Sequence, residues 1–88
     1  MAYRVVLKNS AKKELARLNA GAYQKVRFAL DELAKNPRPA QTQKLTAKGS
    51  LWRFRVGDYR IIYEILDEKV LIIILRIGHR SHIYRRLQ

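Results

Sequence analysis

The sequence contains no cysteine and few acidic residues, and both shortages restrict what the protein can do. Without cysteine it forms neither a disulfide scaffold nor a Cys-type zinc site, and it suits a reducing compartment such as the cytoplasm. It also lacks a Walker loop, a G-x-G-x-x-G fingerprint and an H-E-x-x-H helix. The longest strongly apolar run, Val70 to Leu75, is too short to span a bilayer, so no membrane partner is expected.

The shortage of acidic residues leaves a large positive charge. The chain has 19 Lys and Arg against 7 Asp and Glu, a formal charge of +12. Such a field attracts polyanions over a Debye length of about 8 Å. The basic residues are spread from Arg4 to Arg86, and a hydrophobic content of 48% argues against disorder. The composition therefore favours one folded domain over residues 1–88 that binds a nucleic acid or an acidic protein.

The spacing of apolar residues predicts the elements of this domain. A strand is predicted over Tyr3–Asn9, followed by a helix capped by Ser10, a break at Gly21 and a second helix that ends near Lys35. A polar connection over 36–50 and three further strands complete the chain. We therefore predict an α+β fold, in which two N-terminal helices pack on one face of a mostly antiparallel four-stranded sheet, in the order β-α-α-β-β-β.

The segment LWRFRVGDYRIIYEI, residues 51–65, predicts a hairpin closed by Gly57 and Asp58. Glycine at the first central position suits a type II′ turn, which places residue 55 opposite residue 60. Because side chains alternate between faces, one face is apolar and the other carries Arg53, Arg55 and Arg60. Each arginine alone fits a solvated sheet face. As a set they favour a phosphate-binding surface, because like charges directly opposite each other destabilise a sheet.

The strand after this hairpin is expected to enlarge the basic surface. A three-residue turn at Asp67–Lys69 would pair Arg60 with Arg76 and extend the arginines into a row across three strands. In the polar connection before the hairpin, Lys44 and Lys48 supply further positive charge. We expect Arg76, Lys44 and Lys48 to contact RNA or phosphate.

The tail GHRSHIY, residues 78–84, contains the side chains best suited to proton transfer. His79 and His82 match neutral pH, although His79 also fits a role covering the core edge and His82 a role on the surface. No metal site is expected, because there is no third histidine or cysteine. Tyr84 either packs as a C-terminal aromatic or stacks on a nucleobase, a contact of about 1–3 kcal/mol.

The predicted element order, the Lys44-Leu45 pair, WRFRVGDYRIIYEI and GHRSHIY together resemble the RelE toxins of the RelE/ParE superfamily of toxin–antitoxin systems. This resemblance implies a ribosome-dependent endoribonuclease that cleaves mRNA in the A site. The implied reaction is attack of a ribose 2′-OH on the adjacent phosphate, with no metal or other cofactor. The implied partners are the ribosome, mRNA and a cognate antitoxin, whose acidic or amphipathic segment wraps the toxin.

The resemblance also implies roles for individual residues. By motif position, Arg53 and Arg55 take the place of the family's basic pair, and Arg60 that of its phosphate-binding arginine. Arg80 takes the place of the tail arginine, assigned as general acid or leaving-group stabiliser. Tyr84 takes the place of the tail tyrosine that stacks on or orients the nucleotide.

The general base and the target remain open at this point. Some RelE-type members use lysine at the basic pair, whereas arginine is effectively never neutral. His79, His82, Tyr84 or the ribosome itself therefore has to take the proton. Two other functions also fit the sequence: a ParE-like toxin that binds DNA gyrase, and a non-catalytic nucleic-acid-binding module.

Overall fold

The computed structural model describes residues 2–45 and 49–83. Its elements are β1 (Arg4–Leu7), α1 (Asn9–Ala16), α2 (Ala20–Lys35), β2 (Thr42–Lys44), β3 (Leu51–Val56), β4 (Tyr59–Leu66), a 3₁₀ turn (Asp67–Lys69) and β5 (Leu71–His79). The sheet order is β1-β5-β4-β3-β2, with β1 parallel to β5 and the other neighbours antiparallel. The predicted α+β class and both helices are confirmed. No described helix has the length and apolar content needed to cross a membrane.

The predicted number of four strands is wrong, because β2 lies within the segment that was expected to be a polar connection. β2 consists of the three residues Thr42–Lys44 and pairs antiparallel with Trp52–Phe54. A three-residue polar strand at a sheet edge has no hydrophobic alternation that a sequence pattern can reveal. The fifth strand therefore comes from pairing with β3 and not from a local signal.

The two helices cover one face of the sheet. Their buried stripes pack against the inward-facing side chains of β3, β4 and β5. Such packing on one face is what the amphipathic spacing of both helices predicts. The buried core residues of these elements are Ala11, Leu15, Val26, Ala29, Leu30, Leu33, Phe54, Ile61, Tyr63, Ile65, Ile72, Ile74 and Ile77.

Two predicted helix boundaries are wrong and one is confirmed. Ser10 is not the cap of α1, because the helix already begins at Asn9 and the Ser10 hydroxyl donates to the Leu75 carbonyl at 2.9 Å. Gly21 is not a break but lies in the first turn of α2, where the Asn19 side chain caps the helix. The predicted end at Lys35 is confirmed, and the next residue has an extended backbone.

The predicted register of the β3–β4 hairpin is confirmed. Val56 pairs with Tyr59, and Arg55 pairs with Arg60. Gly57 has a φ of 59°, whereas the residue after it has an ordinary negative φ, which defines a type II′ turn. The hairpin therefore directs one row of aromatic and apolar side chains to the helices, and its arginines, with the buried Ile62 opposite Arg53, to the other face.

The predicted register between β4 and β5 is wrong. After the 3₁₀ turn, Val70 adopts a left-handed conformation with φ 51° and ψ 48°, so pairing resumes at Leu71. A β-bulge opposite the Ile62–Tyr63 step then adds Leu75 as an extra residue on β5. Each irregularity moves the register by one residue, and a sequence pattern reveals neither.

Candidate nucleic-acid interface

Two glutamines orient the arginines of β3. Arg53 lies opposite Gln43 in the ladder between β2 and β3, and its Nη2 donates to Gln43 Oε1 at 2.5 Å. Arg55 Nη2 donates to Gln41 Oε1. The backbone of Gln41 is left-handed, with a φ of 73°. A glutamine amide is neutral, so these bonds orient the guanidinium groups without neutralising them. The sequence analysis did not predict the role of these glutamines, because it did not predict β2.

The segment that leads into β2 is itself anchored to the sheet. The Tyr63 hydroxyl donates to the Pro37 carbonyl at 2.8 Å, and burial raises the pKa of Tyr63 to about 12. Arg38 donates to Asp67 at 2.7 Å and lies 5.3 Å from the centre of the Trp52 ring. The hydrogen bond from Arg38 holds the pKa of Asp67 below its ordinary value. These contacts fix the chain just before the glutamines.

The β3–β4 turn holds two further arginines. Arg60 Nη1 donates to the carbonyl oxygens of Gly57 at 2.8 Å and of Tyr59 at 2.9 Å. The Arg80 backbone N–H donates to the Asp58 carbonyl at 2.7 Å. The side-chain Nε of Arg80 lies 3.8 Å from Asp58 Oδ1. Three successive residues of one turn therefore receive bonds from these two arginines, which brings the tail arginine to the hairpin.

Arg53, Arg55, Arg60 and Arg80 form the surface that we call the arginine face. Arg55 lies directly opposite Arg60, and Arg53 lies one step further along the same side of β3. Arg60 pairs with residue 78 of β5, two positions before Arg80. Guanidinium groups are planar forks that bind phosphate in a bidentate manner. The arrangement is suited to hold a phosphate group at the turn end of the sheet.

Comparison with known proteins identifies the family. The family model for the ParE toxin of type II toxin–antitoxin systems matches residues 5–84. The chain belongs to this family. Among curated proteins, the toxin is 32% identical to Toxin RelG of Mycobacterium tuberculosis over 87 residues, 98% of this chain and 100% of that protein. It is 27% identical to the mRNA interferase toxin RelE of Escherichia coli over 88 residues, 96% of this chain and 92% of that protein.

Solved structures show the same fold for this toxin. A chain of the archaeal RelE–RelB complex from Pyrococcus horikoshii matches with a TM-score of 0.82 and 32% identity, over 93% of this chain and 99% of that chain. A chain of the RelBE2 toxin–antitoxin complex from Mycobacterium tuberculosis matches with a TM-score of 0.78 and 29% identity, over 91% and 100%. The resemblance to RelE toxins that the sequence motifs indicated is therefore confirmed.

Arg76 of the toxin does not belong to the arginine face. It pairs with Ile62 instead of Arg60, so the predicted row of arginines across three strands is wrong. Its guanidinium binds Glu14 of α1, with Nε 3.1 Å from Oε1 and Nη2 2.7 Å from Oε2. These hydrogen bonds raise the pKa of Arg76. The left-handed Val70 and the bulge in β5 are together the physical reason, because each shifts this part of the strand by one residue relative to β4.

Of the two predicted lysines and the tail tyrosine, only Lys44 lies among the described residues, and it is not part of the arginine face. Lys44 lies opposite Trp52, whose ring packs against the core, so the alternation of side chains places Lys44 on the other side of the sheet from Arg53. Lys48 and Tyr84 lie outside the described residues, and their roles stay predictions.

The two histidines of the toxin lie together around Ser81. His79 pairs with Tyr59 in the sheet, and the two rings meet edge to face with centroids 5.7 Å apart. Tyr59 packs against the core, so His79 covers the core edge and faces away from the arginines. Ser81 Oγ lies 2.8 Å from His79 Nδ1 and 3.0 Å from His82 Nδ1. Ser81 was missed, although a hydroxyl residue within HRSH is a signal that the sequence carries.

Proposed function

We propose that the chain is a ribosome-dependent mRNA endonuclease of the RelE type that acts in the cytoplasm, where it meets ribosomes. The observation that carries this proposal is the arginine face. Glutamine side chains and carbonyls of one turn hold three of its guanidinium groups, and the backbone N–H of Arg80 donates to the Asp58 carbonyl of the same turn. The similarity to an Escherichia coli toxin that is named as an mRNA interferase supports it.

In this proposal the arginine face binds the scissile phosphate of the mRNA. The ribose 2′-oxygen attacks phosphorus as it loses its proton, and the bond from phosphorus to the 5′-oxygen breaks. The departing 5′-oxygen takes a proton from water, so the products carry a 2′,3′-cyclic phosphate and a 5′-OH. Negative charge grows on the phosphoryl oxygens, and a preorganised donor stabilises such charge by about 3 kcal/mol. Arg80 contacts the leaving 5′-oxygen. The Arg80 side chain is 64% exposed and is therefore accessible to RNA.

The arginine face supplies charge but no base, because a guanidinium group is not deprotonated in proteins. His79 is directed at Tyr59 on the other side of the sheet, and His82 lies beside it. The proton of the 2′-OH is therefore assigned to Tyr84 or to a group of the ribosome. No metal enters this scheme, because the guanidinium groups provide the positive charge that stabilises the transition state.

We also propose a cognate antitoxin as partner. Both solved structures compared above, from Pyrococcus horikoshii and Mycobacterium tuberculosis, are toxin–antitoxin complexes. With a net charge of +12, the toxin attracts an acidic or amphipathic segment, which can wrap the domain and cover the arginine face. The antitoxin and the mRNA phosphates then compete for the same guanidinium groups.

Three parallel incubations test the activity: toxin with programmed ribosomes, with naked mRNA, and with gyrase and supercoiled plasmid. We expect cleavage only in the ribosomal sample, with a 2′,3′-cyclic phosphate at the upstream end. Gyrase inhibition with intact mRNA would contradict the proposal and favour the ParE-like alternative. Binding to RNA with neither activity would leave a nucleic-acid-binding module.

Arg80→Ala tests the role of the tail arginine. It should lower the maximal cleavage rate about 100-fold, as does the loss of one transition-state donor, while ribosome affinity changes little. Arg27→Ala is the matched control, because it removes the same charge from an exposed position on α2. Equal losses of affinity in both variants, with no loss of maximal rate, would contradict the assignment.

A further inference from the structure

Ser81 joins the two histidines that flank Arg80. Its Oγ lies 2.8 Å from His79 Nδ1 and 3.0 Å from His82 Nδ1, and its backbone N–H donates to His79 Nδ1 at 3.2 Å. His79 Nδ1 accepts a hydrogen bond from this N–H, so this nitrogen carries no proton in our assignment. The Ser81 hydroxyl therefore also donates to His79 Nδ1. The same oxygen then accepts from His82 Nδ1–H. One proton arrangement satisfies all three bonds.

These residues build the turn that carries Arg80. The His82 N–H donates to the His79 carbonyl at 2.9 Å, which closes a turn with Arg80 and Ser81 at its two central positions. On its outer side, the Arg80 N–H donates to the Asp58 carbonyl at 2.7 Å. The long Arg80 side chain is 64% exposed, and the conformation of the turn sets the backbone position and the direction from which it extends.

The turn is also connected to the core. His79 contacts the Tyr59 ring, which packs against the core, and the His79 and His82 rings lie with centroids 6.1 Å apart. A hydroxyl group between the two imidazoles therefore links the end of the turn to a fixed part of the sheet. Without it, His82 loses the hydrogen bond that Ser81 Oγ accepts.

We propose that Ser81 is a positioning residue for Arg80. By bridging the imidazoles of His79 and His82, its hydroxyl holds the turn in the shape that presents the Arg80 guanidinium to the scissile phosphate. The catalytic part of this inference rests on the proposed function. Its structural part, the dependence of the Arg80 backbone on Ser81, can be measured in the absence of RNA.

The bridge requires one group that donates and accepts at the same time. Ser81→Ala removes both capacities, whereas Ser81→Thr keeps the hydroxyl group. Ser10→Ala is the matched control, because it removes a hydroxyl that donates to the Leu75 carbonyl at 2.9 Å on the α1 side of β5. The three variants therefore separate the bridge from the mere loss of a serine hydroxyl.

Single-turnover cleavage with toxin in excess over programmed ribosomes tests the catalytic part. Ser81→Ala should lower the maximal rate constant about tenfold, the factor expected for one lost hydrogen bond, with an unchanged half-saturating toxin concentration. Ser81→Thr should restore the rate, and Ser10→Ala should keep it. Partial unfolding instead raises the half-saturating concentration and leaves the maximal rate constant unchanged, so that result would overturn the proposal.

Hydrogen exchange of the Arg80 amide in the free toxin tests the structural part. We expect exchange about tenfold faster in Ser81→Ala than in the wild type, because the turn opens once the bridge is lost, and no change in Ser10→Ala. Unchanged exchange in Ser81→Ala overturns the positioning role whatever the RNA assays give. A wild-type chain that never cleaves on ribosomes overturns the proposed function alone, and the exchange experiment still decides whether Ser81 positions Arg80.

Discussion

Glu14 determines the environment of Arg76. Besides the guanidinium group, it accepts a hydrogen bond from the Ile77 N–H at 2.9 Å. The side chains of Arg76 and Glu14 are only 17% and 13% exposed, so both charges have largely left water and depend on each other. The pair fastens α1 to β5 where β1 has already ended.

Removal of Glu14 should therefore be strongly destabilising. We expect Glu14→Ala to lower the free energy of unfolding by about 3 kcal/mol, because it leaves a largely buried guanidinium group and the Ile77 N–H without this acceptor. Urea unfolding of the variant and the wild type measures the difference. Glu32→Ala, at an exposed position on α2, is the control and should change stability by about 0.5 kcal/mol or less. Similar losses in the two variants would mean that the ion pair contributes nothing specific.

Some features of the arginine face could be predicted from the sequence, and others could not. Alternation along the hairpin places Arg53, Arg55 and Arg60 on one side, so this part was predictable from local order. The glutamines that hold two of them were not, because they act only when β2 pairs with β3. The contact between residues 14 and 76 joins positions 62 apart, and no periodicity marks such a pair.

At the scale of elements, the hairpin turn is where backbone conformation matters most. Gly57 has a φ of +59°, and an added Cβ would meet nothing within 4 Å, so the cost of a side chain is conformational and not steric. We expect Gly57→Ala to lower the free energy of unfolding by about 1 kcal/mol. Gly21→Ala should act in the opposite direction, by about 0.5–1 kcal/mol, because Gly21 lies in the first turn of α2 with only an ordinary contact of 3.7 Å to Asn19 Oδ1.

Chemical denaturation of the two glycine variants measures both changes in the free energy of unfolding, the expected decrease for Gly57→Ala and the expected increase for Gly21→Ala. A destabilising Gly21→Ala would show that the capped start of α2 has no room for a side chain. A neutral Gly57→Ala would show that the turn relaxes away from type II′, and the bonds from Arg60 and Arg80 to this turn would then have to shift with it.

The elements that local chemistry determines were predicted, and those that pairing determines were not. Helical spacing and the residue before Pro37 predicted the end of α2, and the Gly57-Asp58 turn predicted the hairpin register. The register of β5 depends instead on a left-handed Val70 and on a bulge, two backbone features that β-branched and aliphatic residues do not indicate.

At the scale of the whole molecule, net charge and local contacts play different roles. The charge of +12 belongs to the entire chain and speeds the encounter with any polyanion. Glu14, Asp58 and Asp67 each pair with an arginine, so part of the acidic charge is used within the fold. Counterions are released from an RNA phosphate where a basic side chain contacts that phosphate directly. The number of released counterions should therefore depend on which basic residue is removed.

The salt dependence of RNA binding separates these two roles. For single strands, each neutralised phosphate contributes about −0.7 to the slope of log K against log salt concentration. Arg53→Gln should therefore make the slope shallower by about 0.7, whereas Arg27→Gln removes the same charge from α2 and should leave the slope unchanged. Fluorescence anisotropy of a labelled single-stranded RNA over a series of KCl concentrations measures both. An equal change of slope in the two variants would mean that the field of the whole molecule binds RNA and that Arg53 of the arginine face makes no phosphate contact of its own.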